Sequence, residues 1–419
     1  MKVKSLFLSM CAIAALASCS QNDDVAPVGS DAQKAKVTLK LEGDGVAGSR
    51  AADTEEDATE AGAAIGNVTV FFFNQTDFIV GAPKYVSDPS TLAATPLETT
   101  TDAAKIVVIA NLGSDLTGTI FKNVSSLDQL KKVDFTAIAG DGTKTVNQSA
   151  TNLYSSGMSG IQMGSGDQAN IGAATVQLHF VSARINKVKI AWKPDQYYAA
   201  NKSDFDDTTT NWFYIKQVYM MTAQTNSPLI PAGATTEAWT GGFTPQSYAF
   251  AGGVAWGAAP WTWTGDADPT PVSTPVQTND YLVTTMPVAA NNSIDNVLGA
   301  DAAHKAWYLF ENTPASNHPT GLVVEIVWRS KADSTKPEEL LTKYFTVYFG
   351  EKSGNTNQPL LEAGKTYDMS IALNGSFQPG GNAGGGGDDP SKPSVDAQIT
   401  VTVNTAKWAT TDEITKEFQ

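Results

Sequence analysis

Short apolar runs, each bounded by turn residues, recur along the chain from Ile65 onward. They are rich in Val, Ile and aromatic residues, and Gly, Pro, Asn or Asp separates one run from the next. This length and composition are typical of β-strands. The runs read IGNVTVFFFN, AKIVVIANLG, ATVQLHFVSARINKVKIAW, NWFYIKQVYMM, GLVVEIVW, KYFTVYFG and KTYDMSIALNG.

One segment, SSLDQLKKV, has the pattern of a short helix instead. Ser126 is placed as its N-cap with Gln129 three residues further on, and the following apolar residues share a face: Leu127, Leu130 and Val133. Many strands with few helices predict an all-β fold built from sandwiches, rather than a parallel sheet with crossover helices.

The length and charge of the chain limit its architecture and its partners. With 419 residues, of which 42% are hydrophobic, the chain is long enough for two or three domains. We expect an N-terminal β-sandwich over residues 51–182 and a C-terminal β-sandwich over residues 183–377. The net charge of −15 argues against a nucleic-acid partner, because polyphosphate binding needs a basic face.

The N-terminus has the pattern of a lipoprotein signal peptide. Lys2 and Lys4 form a positive region, LFLSMCAIAAL is a short apolar core, and LASC ends on Cys19. The core is too short to span a bilayer as a stable helix. We therefore predict a signal peptide over residues 1–18 and a lipid on the Cys19 thiol that holds the precursor on the outer membrane. An ordinary secretory signal with an incidental cysteine is the alternative.

Arg50 stands out because the 28 basic residues include only three arginines. The other two, Arg184 and Arg329, lie in strand-like runs, whereas Arg50 ends the glycine-rich stretch GDGVAGSR. Cleavage by an arginine-specific protease would leave Ala51 as the new N-terminus and would remove residues 19–50 as a pro-segment.

The pro-segment contains a strand pattern of its own. In AKVTLKLEG, the residues Val37, Leu39 and Leu41 fall on one face, and Lys or Thr falls on the other. A period of two is typical of a half-buried strand.

The C-terminal end carries a second alternating strand, attached through a linker. Residues 378–394, QPGGNAGGGGDDPSKPS, lack the Lys-Ser/Thr pair of a phosphate-binding loop and have the composition of a flexible linker. In residues 395–419, the segment VDAQITVTVNTAKW alternates, with one face formed by Val395, Ala397, Ile399, Val401 and Val403.

Taken together, the two alternating segments suggest an exchange of strands between copies of the chain. A strand that is cut loose at Arg50 would leave an apolar groove, and the C-terminal strand of another copy could fill it. Such β-strand addition gains affinity from backbone hydrogen bonds and register from alternate side chains.

No constellation of catalytic residues emerges from the sequence. The three histidines, His179, His304 and His318, lack the spacing of a metal-binding motif, and the chain contains no GxSxG. Asp266 and Asp268 have calcium-loop spacing, but the loop contains Pro and lacks the downstream Glu. We therefore predict that the protein is not an enzyme and has no metal or other cofactor.

The segment AWGAAPWTWTGD is a candidate binding surface. Its Trp256, Trp261 and Trp263 could form an aromatic platform for a glycan or a protein. Packing of these side chains within a β domain is the alternative.

The order of several motifs resembles the fimbrillin family, the FimA-type major pilins of protease-dependent type V pili, over nearly the full chain. The motifs are LASC, GSRAAD before IGNVTVFFF, IVVIANLG, YSSGMSG, VQLHFVSARINKVKI, WYLFENTP, AGKTYDMSIALNG and ITVTVNTAKW. The resemblance implies two transthyretin-like β-sandwich domains, lipoprotein export, cleavage by an arginine-specific protease of gingipain type, and assembly by donor-strand exchange.

Within a pilus, the cut site and the donor strand together favour a shaft subunit. An anchor needs no cut, and a tip needs no donor. The expected partners are copies of the chain itself, the protease, and anchor and tip pilins, in an extracellular pilus that supports adhesion or biofilm formation. The alternative function is a surface lipoprotein that does not polymerise, or a tip adhesin, which binds glycan or host protein.

Overall fold

Strands make up nearly all of the regular structure. The computed structural model describes residues 32–43, 65–136, 153–192, 213–221, 223–224, 226–246, 250–251, 286–287, 293–297, 307–312, 319–329, 340–350, 352–353, 356–373 and 398–405. Within these ranges the α-helical conformation is limited to one short helix, α1, Leu127–Leu130. The predicted all-β class is confirmed. No helix among these residues is long and apolar enough to cross a membrane.

The described residues of the N-terminal half contain nine strands. They are β1 Lys34–Gly43, β2 Val68–Phe73, β3 Lys84–Val86, β4 Leu97–Thr100, β5 Lys105–Ala110, β6 Asp134–Thr136, β7 Ser155–Gly160, β8 Gln162–Met163 and β9 Ile171–Phe180.

Eight of these nine strands belong to one curled sheet. Its order is β3-β2-β5-β7-β9-β1-β4, and β8 pairs with β9 beside β7. All six residues of β2 are buried, so both faces of the sheet are covered there. One face of β2 packs with β1 and β9, and the other face carries Phe71 and Phe73 into an aromatic cluster with Phe121, Phe135 and Tyr154.

The predicted helix is confirmed, and it is shorter than its sequence pattern. The Gln129 backbone N–H donates to Ser126 Oγ at 3.2 Å, and the Ser125 N–H donates to the Gln129 side-chain oxygen at 2.8 Å. Leu127 and Leu130 are buried in the aromatic cluster. The chain then turns at once into β6, which begins at Asp134.

The described residues of the C-terminal half contain fourteen further strands. They are β10 Ser182–Trp192, β11 Phe213–Met221, β12 Ala223–Gln224, β13 Asn226–Pro228, β14 Phe250–Ala251, β15 Met286–Pro287, β16 Ser293–Ile294, β17 Trp307–Phe310, β18 Gly321–Arg329, β19 Leu340–Tyr348, β20 Lys352–Ser353, β21 Thr356–Asn357, β22 Lys365–Leu373 and β23 Gln398–Thr405.

Two larger sheets organise this half. One has the order β16-β10-β22-β23, with β17 also paired to β10, and the other has the order β15-β11-β18-β19. Strand β10 runs parallel to β22, while β23 runs antiparallel to β22. Among the described strands, β22 is the only neighbour of β23, so β23 is an edge strand.

The chain passes from the N-terminal sheet to the next sheet at Val181, between β9 and β10. This position lies beside the predicted domain boundary, and the division into domains itself stays a prediction. Residues 226–246 return to the N-terminal core: β13 pairs with β6, and Ser156 Oγ donates to the Leu229 carbonyl. Ile230 and Phe243 are buried in the same aromatic cluster.

A buried carboxylate holds this returning segment in place. Glu311 accepts hydrogen bonds from the backbone N–H of Phe243 at 3.0 Å and from that of Ala363 at 3.1 Å. Burial raises the pKa of Glu311, and the two hydrogen bonds offset only part of that effect. The carboxylate therefore links β17, the returning segment and the start of β22.

Candidate functional site

The candidate site is the place that β1 occupies inside the N-terminal sheet. Strand β1 runs parallel to β9, from the pair Lys36↔Ile171 to the pair Gly43↔Leu178, and antiparallel to β4 over four positions. At its start, the Thr101 N–H also donates to the Gln33 carbonyl at 2.9 Å. We call the space between β9 and β4 that β1 fills the slot.

The side chains of β1 alternate as the sequence predicts. Val37 and Leu39 are completely buried, Ala35 is buried beside them, and Leu41 is half-buried. The lysines of β1 are exposed on the other face, where Lys40 Nζ lies 2.5 Å from a Glu42 carboxylate oxygen. The predicted half-buried strand is therefore confirmed.

Small residues of β9 make room for β1 at one end of the slot. The register places Val37 beside Gly172, and the next two inward residues beside Ala174 and Val176. A Cβ on Gly172 would lie 2.6 Å from Met163 Sδ and 3.3 Å from Val37 Cγ2. The slot therefore has a definite shape, with glycine where β1, β8 and β9 meet.

Backbone geometry ends the strand at Gly43. This residue has a φ of +94°, in the region that favours glycine, and a Cβ there would collide with Gln177 and with the Leu178 carbonyl. Strand β1 ends at this residue, seven residues before Arg50.

Loss of β1 would change both the ladder and the core. It would expose one edge of β9 and one edge of β4, and unpaired strand edges readily accept another strand. It would also remove Val37 and Leu39 from a core cluster that contains Val70, Phe72 and Val108. Each of the two removed side chains contributes about 1.5–3 kcal/mol through burial.

Residues 398–405 of the predicted donor segment form a strand in the structure. Its residues Ile399, Val401 and Val403 lie in β23, and β23 pairs with β22 of the same chain. The register places them opposite Ile371, Met369 and Tyr367, which are all buried. Directly opposed residues share a face of an antiparallel pair.

The two arginines outside the pro-segment both lie in paired strands. Arg184 is only 4% exposed and lies in β10, between β17 and β22. Arg329 is the last residue of β18 and pairs with Leu340.

The other predicted site residues lie outside the residues that the structure describes. This group comprises the lipidation site, the cleavage site, the first two positions of the donor face and the tryptophan segment: Cys19, Arg50, Ala51, Val395, Ala397, Trp256, Trp261 and Trp263. In the described ranges, no group of His, Cys, Asp and Glu is arranged to hold a metal ion.

The sequence did not identify β9 and β4 as the walls of the slot, although the predicted run ATVQLHFVSARINKVKIAW contains most of β9. The alternation in IGAATVQLHF is a signal for β9, with every second residue buried up to Phe180. Strand β4 reads LETT and gives no comparable signal, because its residues are polar or only half-buried. Neither pattern identifies β1 as the partner of both strands.

Two family models match the sequence. The model of the major fimbrial subunit protein FimA matches residues 35–180, which include most of β1, and the model of the FimA-like C-terminal domain matches residues 258–408. Together they cover more than two thirds of the chain. The chain belongs to the FimA family of major fimbrial subunits, as its motifs indicated.

Solved structures share the fold. A candidate cell adhesion protein from Bacteroides eggerthii is 23% identical, with a TM-score of 0.53 over 90% of this chain and 98% of that one. Another from Parabacteroides distasonis is 17% identical, with a TM-score of 0.51 over 92% of this chain and 100% of that one. No curated protein matches the sequence.

Burial of β1 predicts a face-dependent response to charge. Leu39→Asp should lower the free energy of unfolding of the precursor by at least about 3 kcal/mol, because it removes a core side chain and buries a carboxylate. Thr38→Asp, on the exposed face between two lysines, should change it by no more than about 0.5 kcal/mol. Urea unfolding followed by circular dichroism measures both. Equal effects would show that β1 does not contribute to the core.

Proposed function

We propose that the protein is a shaft subunit of an extracellular pilus that polymerises by donor-strand exchange after cleavage at Arg50. The observation that carries this proposal is the position of β1. It is an interior strand of the N-terminal sheet, yet it lies wholly upstream of the predicted cut. A single cleavage in the connection therefore turns a permanent part of the fold into a removable one.

The connection that contains Arg50 has ample length for a protease. Gly43 pairs with Leu178, and Val68 lies, through Ala110 and Ser155, in the row of Phe180, only two residues further along β9. Both ends of the connection therefore lie at one end of the sheet. Four strand spacings separate β1 from β2, about 19 Å along the sheet. The 21 residues 44–64 reach about 70 Å when extended.

After the cut, only non-covalent contacts hold β1. These contacts are the backbone pairing of β1 with β9 and β4 and the β1 side chains that are buried in the slot. Strand β1 can therefore leave as a unit with residues 19–50. The vacated slot then has two open edges and an unfilled apolar row. A strand with inward-facing apolar residues at every second position would pair with the two open edges and would fill the apolar row again.

The C-terminal segment has the properties of that incoming strand. It alternates, and among the described strands of its own chain β23 has a neighbour on one side only. In the slot it would have two neighbours, as β1 has now. The linker 378–394 has a coil dimension of about 23 Å and extends to about 60 Å, which is enough to reach another subunit.

Export and attachment follow the same proposal. A lipid on Cys19 would hold the precursor at the outer membrane, and the cut after Arg50 would release the subunit from it. The shaft would then combine copies of this chain with anchor and tip pilins and would support adhesion or biofilm formation. The proposed role is structural and includes no catalytic step.

Cleavage should depend on one residue. Treatment of the folded precursor with an arginine-specific protease should give a single new N-terminus, Ala51, because Arg184 and Arg329 lie in paired strands. Arg50→Lys should abolish this cleavage and the fibres that follow it. Trypsin, which also cuts after lysine, should still cleave the variant at position 50. Edman sequencing and electron microscopy measure the outcome, and several fragments from the folded precursor would contradict it.

Assembly should depend on the apolar face of the C-terminal segment 395–419, which we call the tail. Ile399→Asp or Val401→Asp should reduce heat-resistant ladders by at least about tenfold, because each places a carboxylate in the slot. Thr400→Asp adds the same charge on the opposite face and should assemble nearly as well as the unchanged chain. Deletion of residues 395–419 should abolish ladders while cleavage at Arg50 continues.

The measurement is denaturing electrophoresis of equal amounts of cleaved subunit. Cleavage of each variant serves as the control for folding and export. Equal assembly by the three point variants would show that the tail is not the donor.

A further inference from the structure

Strand β1 and the tail have matching sequences. Residues 35–42 read AKVTLKLE and residues 397–404 read AQITVTVN. In this alignment every apolar residue of β1 meets an apolar residue of the tail, and every polar residue meets a polar one. Both segments begin their apolar row with alanine and have threonine at the fourth position.

We infer that residues 397–404 of one subunit take the places of residues 35–42 in the next, in the same direction, parallel to β9 and antiparallel to β4. This inference rests on the proposed strand exchange and adds its register and its polarity. It places Ile399 at the position of Val37, Val401 at that of Leu39, and Val403 at that of Leu41.

The volume of the slot supports this register. The replacement of Val37 by isoleucine adds one methylene, and each replacement of a leucine by valine removes one. The three central side chains of the tail are therefore only one methylene smaller in total. The one larger side chain, that of Ile399, falls beside Gly172, a position of β9 that has no side chain of its own.

The first position of the slot distinguishes the two directions. Ala35 is buried, at 3% exposure, at the start of β1. In the inferred direction the tail places Ala397 there, which is the same residue type. In the reverse direction with the same face inward, Val403 would occupy this position, and Ala397 would leave the place of Leu41 underfilled. Overfilling and underfilling of a core both destabilise it.

The course of the chain around the slot supports the same direction. At the Gly43 end of the slot, β9 continues through Val181 into β10 and the C-terminal half. At the opposite end, β9 begins at Ile171. The inferred direction brings the donor's linker to the Ile171 end, away from the acceptor's own C-terminal half, which suits a head-to-tail array.

The inferred register also determines where the incoming strand stops pairing with β9. Thr405 aligns with Gly43, where a Cβ would collide with Gln177 and with the Leu178 carbonyl. A threonine cannot repeat the path of this glycine, so the incoming strand should leave the ladder after Asn404.

Engineered cysteines test the inference directly, because residues 51–419 contain no cysteine. In the inferred direction Thr402 takes the place of Lys40, which pairs with Thr175. In the reverse direction it takes the place of Lys36, which pairs with Ile171. The two acceptor positions are exposed and lie about 13 Å apart along β9. A disulfide tolerates Cα separations of only about 4.4–6.8 Å.

Two double variants share the donor change Thr402→Cys and differ in the acceptor, Thr175→Cys or Ile171→Cys. After cleavage, assembly and mild oxidation, we expect the Thr175 variant to give ladders that survive complete denaturation and vanish with reductant. These ladders should be at least about tenfold stronger than those of the Ile171 variant, because only adjacent cysteines can form the bond.

Other outcomes separate the inference from the proposed function. Cross-linking through position 171 would reverse the direction, and fibres that cross-link through neither position would exclude this register, while strand exchange would survive in both cases. A cross-link within a single chain would show that the tail fills its own slot and would overturn the inference. Absence of fibres from the cleaved, unmodified chain would refute the proposed function itself.

Discussion

The two-sided pairing of β1 is the interaction on which the N-terminal half depends. Among the described strands, β1 alone connects β4 to β9, so its hydrogen bonds join the last strand of the sheet to the rest. Its inward side chains also close the core between β2, β5 and β9. Only one covalent connection, through the residues that follow β1, joins this strand to the rest of the sheet. Here that single covalent connection is the segment that carries Arg50.

This arrangement makes the fold conditional on an intact connection. While it is intact, β1 acts as an intramolecular partner at very high effective concentration. Once it is cut, the same contacts must hold a separate peptide, and a strand from another subunit can compete for them. The C-terminal strand has a matching apolar row and, among the described strands, pairs on one side only. The proposed strand exchange would thus follow from a change of connectivity.

Local patterns in the sequence were sufficient for part of this account. The alternation of β1, the apolar run of β2 and the cap of α1 depend on residues close in the chain, and the structure confirms all three. Partnership between strands was not predictable in this way. The parallel pairing of β1 with β9 joins residues more than 100 positions apart, and β4 lacks a pattern because its four residues are polar or only half-buried. The alternation of the tail predicted a strand, but alternation alone does not determine which edge a strand joins.

Amide hydrogen exchange in β9 tests the central claim most directly, because every second backbone N–H of residues 171–178 points to whichever strand fills the slot. The sample is the cleaved chain without residues 395–419, separated from its pro-segment, with and without a synthetic peptide of residues 395–405. We predict that protection of β9 falls when β1 is removed and returns with the peptide. A peptide with Asp at positions 399 and 401 should not restore it. Protection that survives the removal of β1, or that neither peptide restores, would contradict the account.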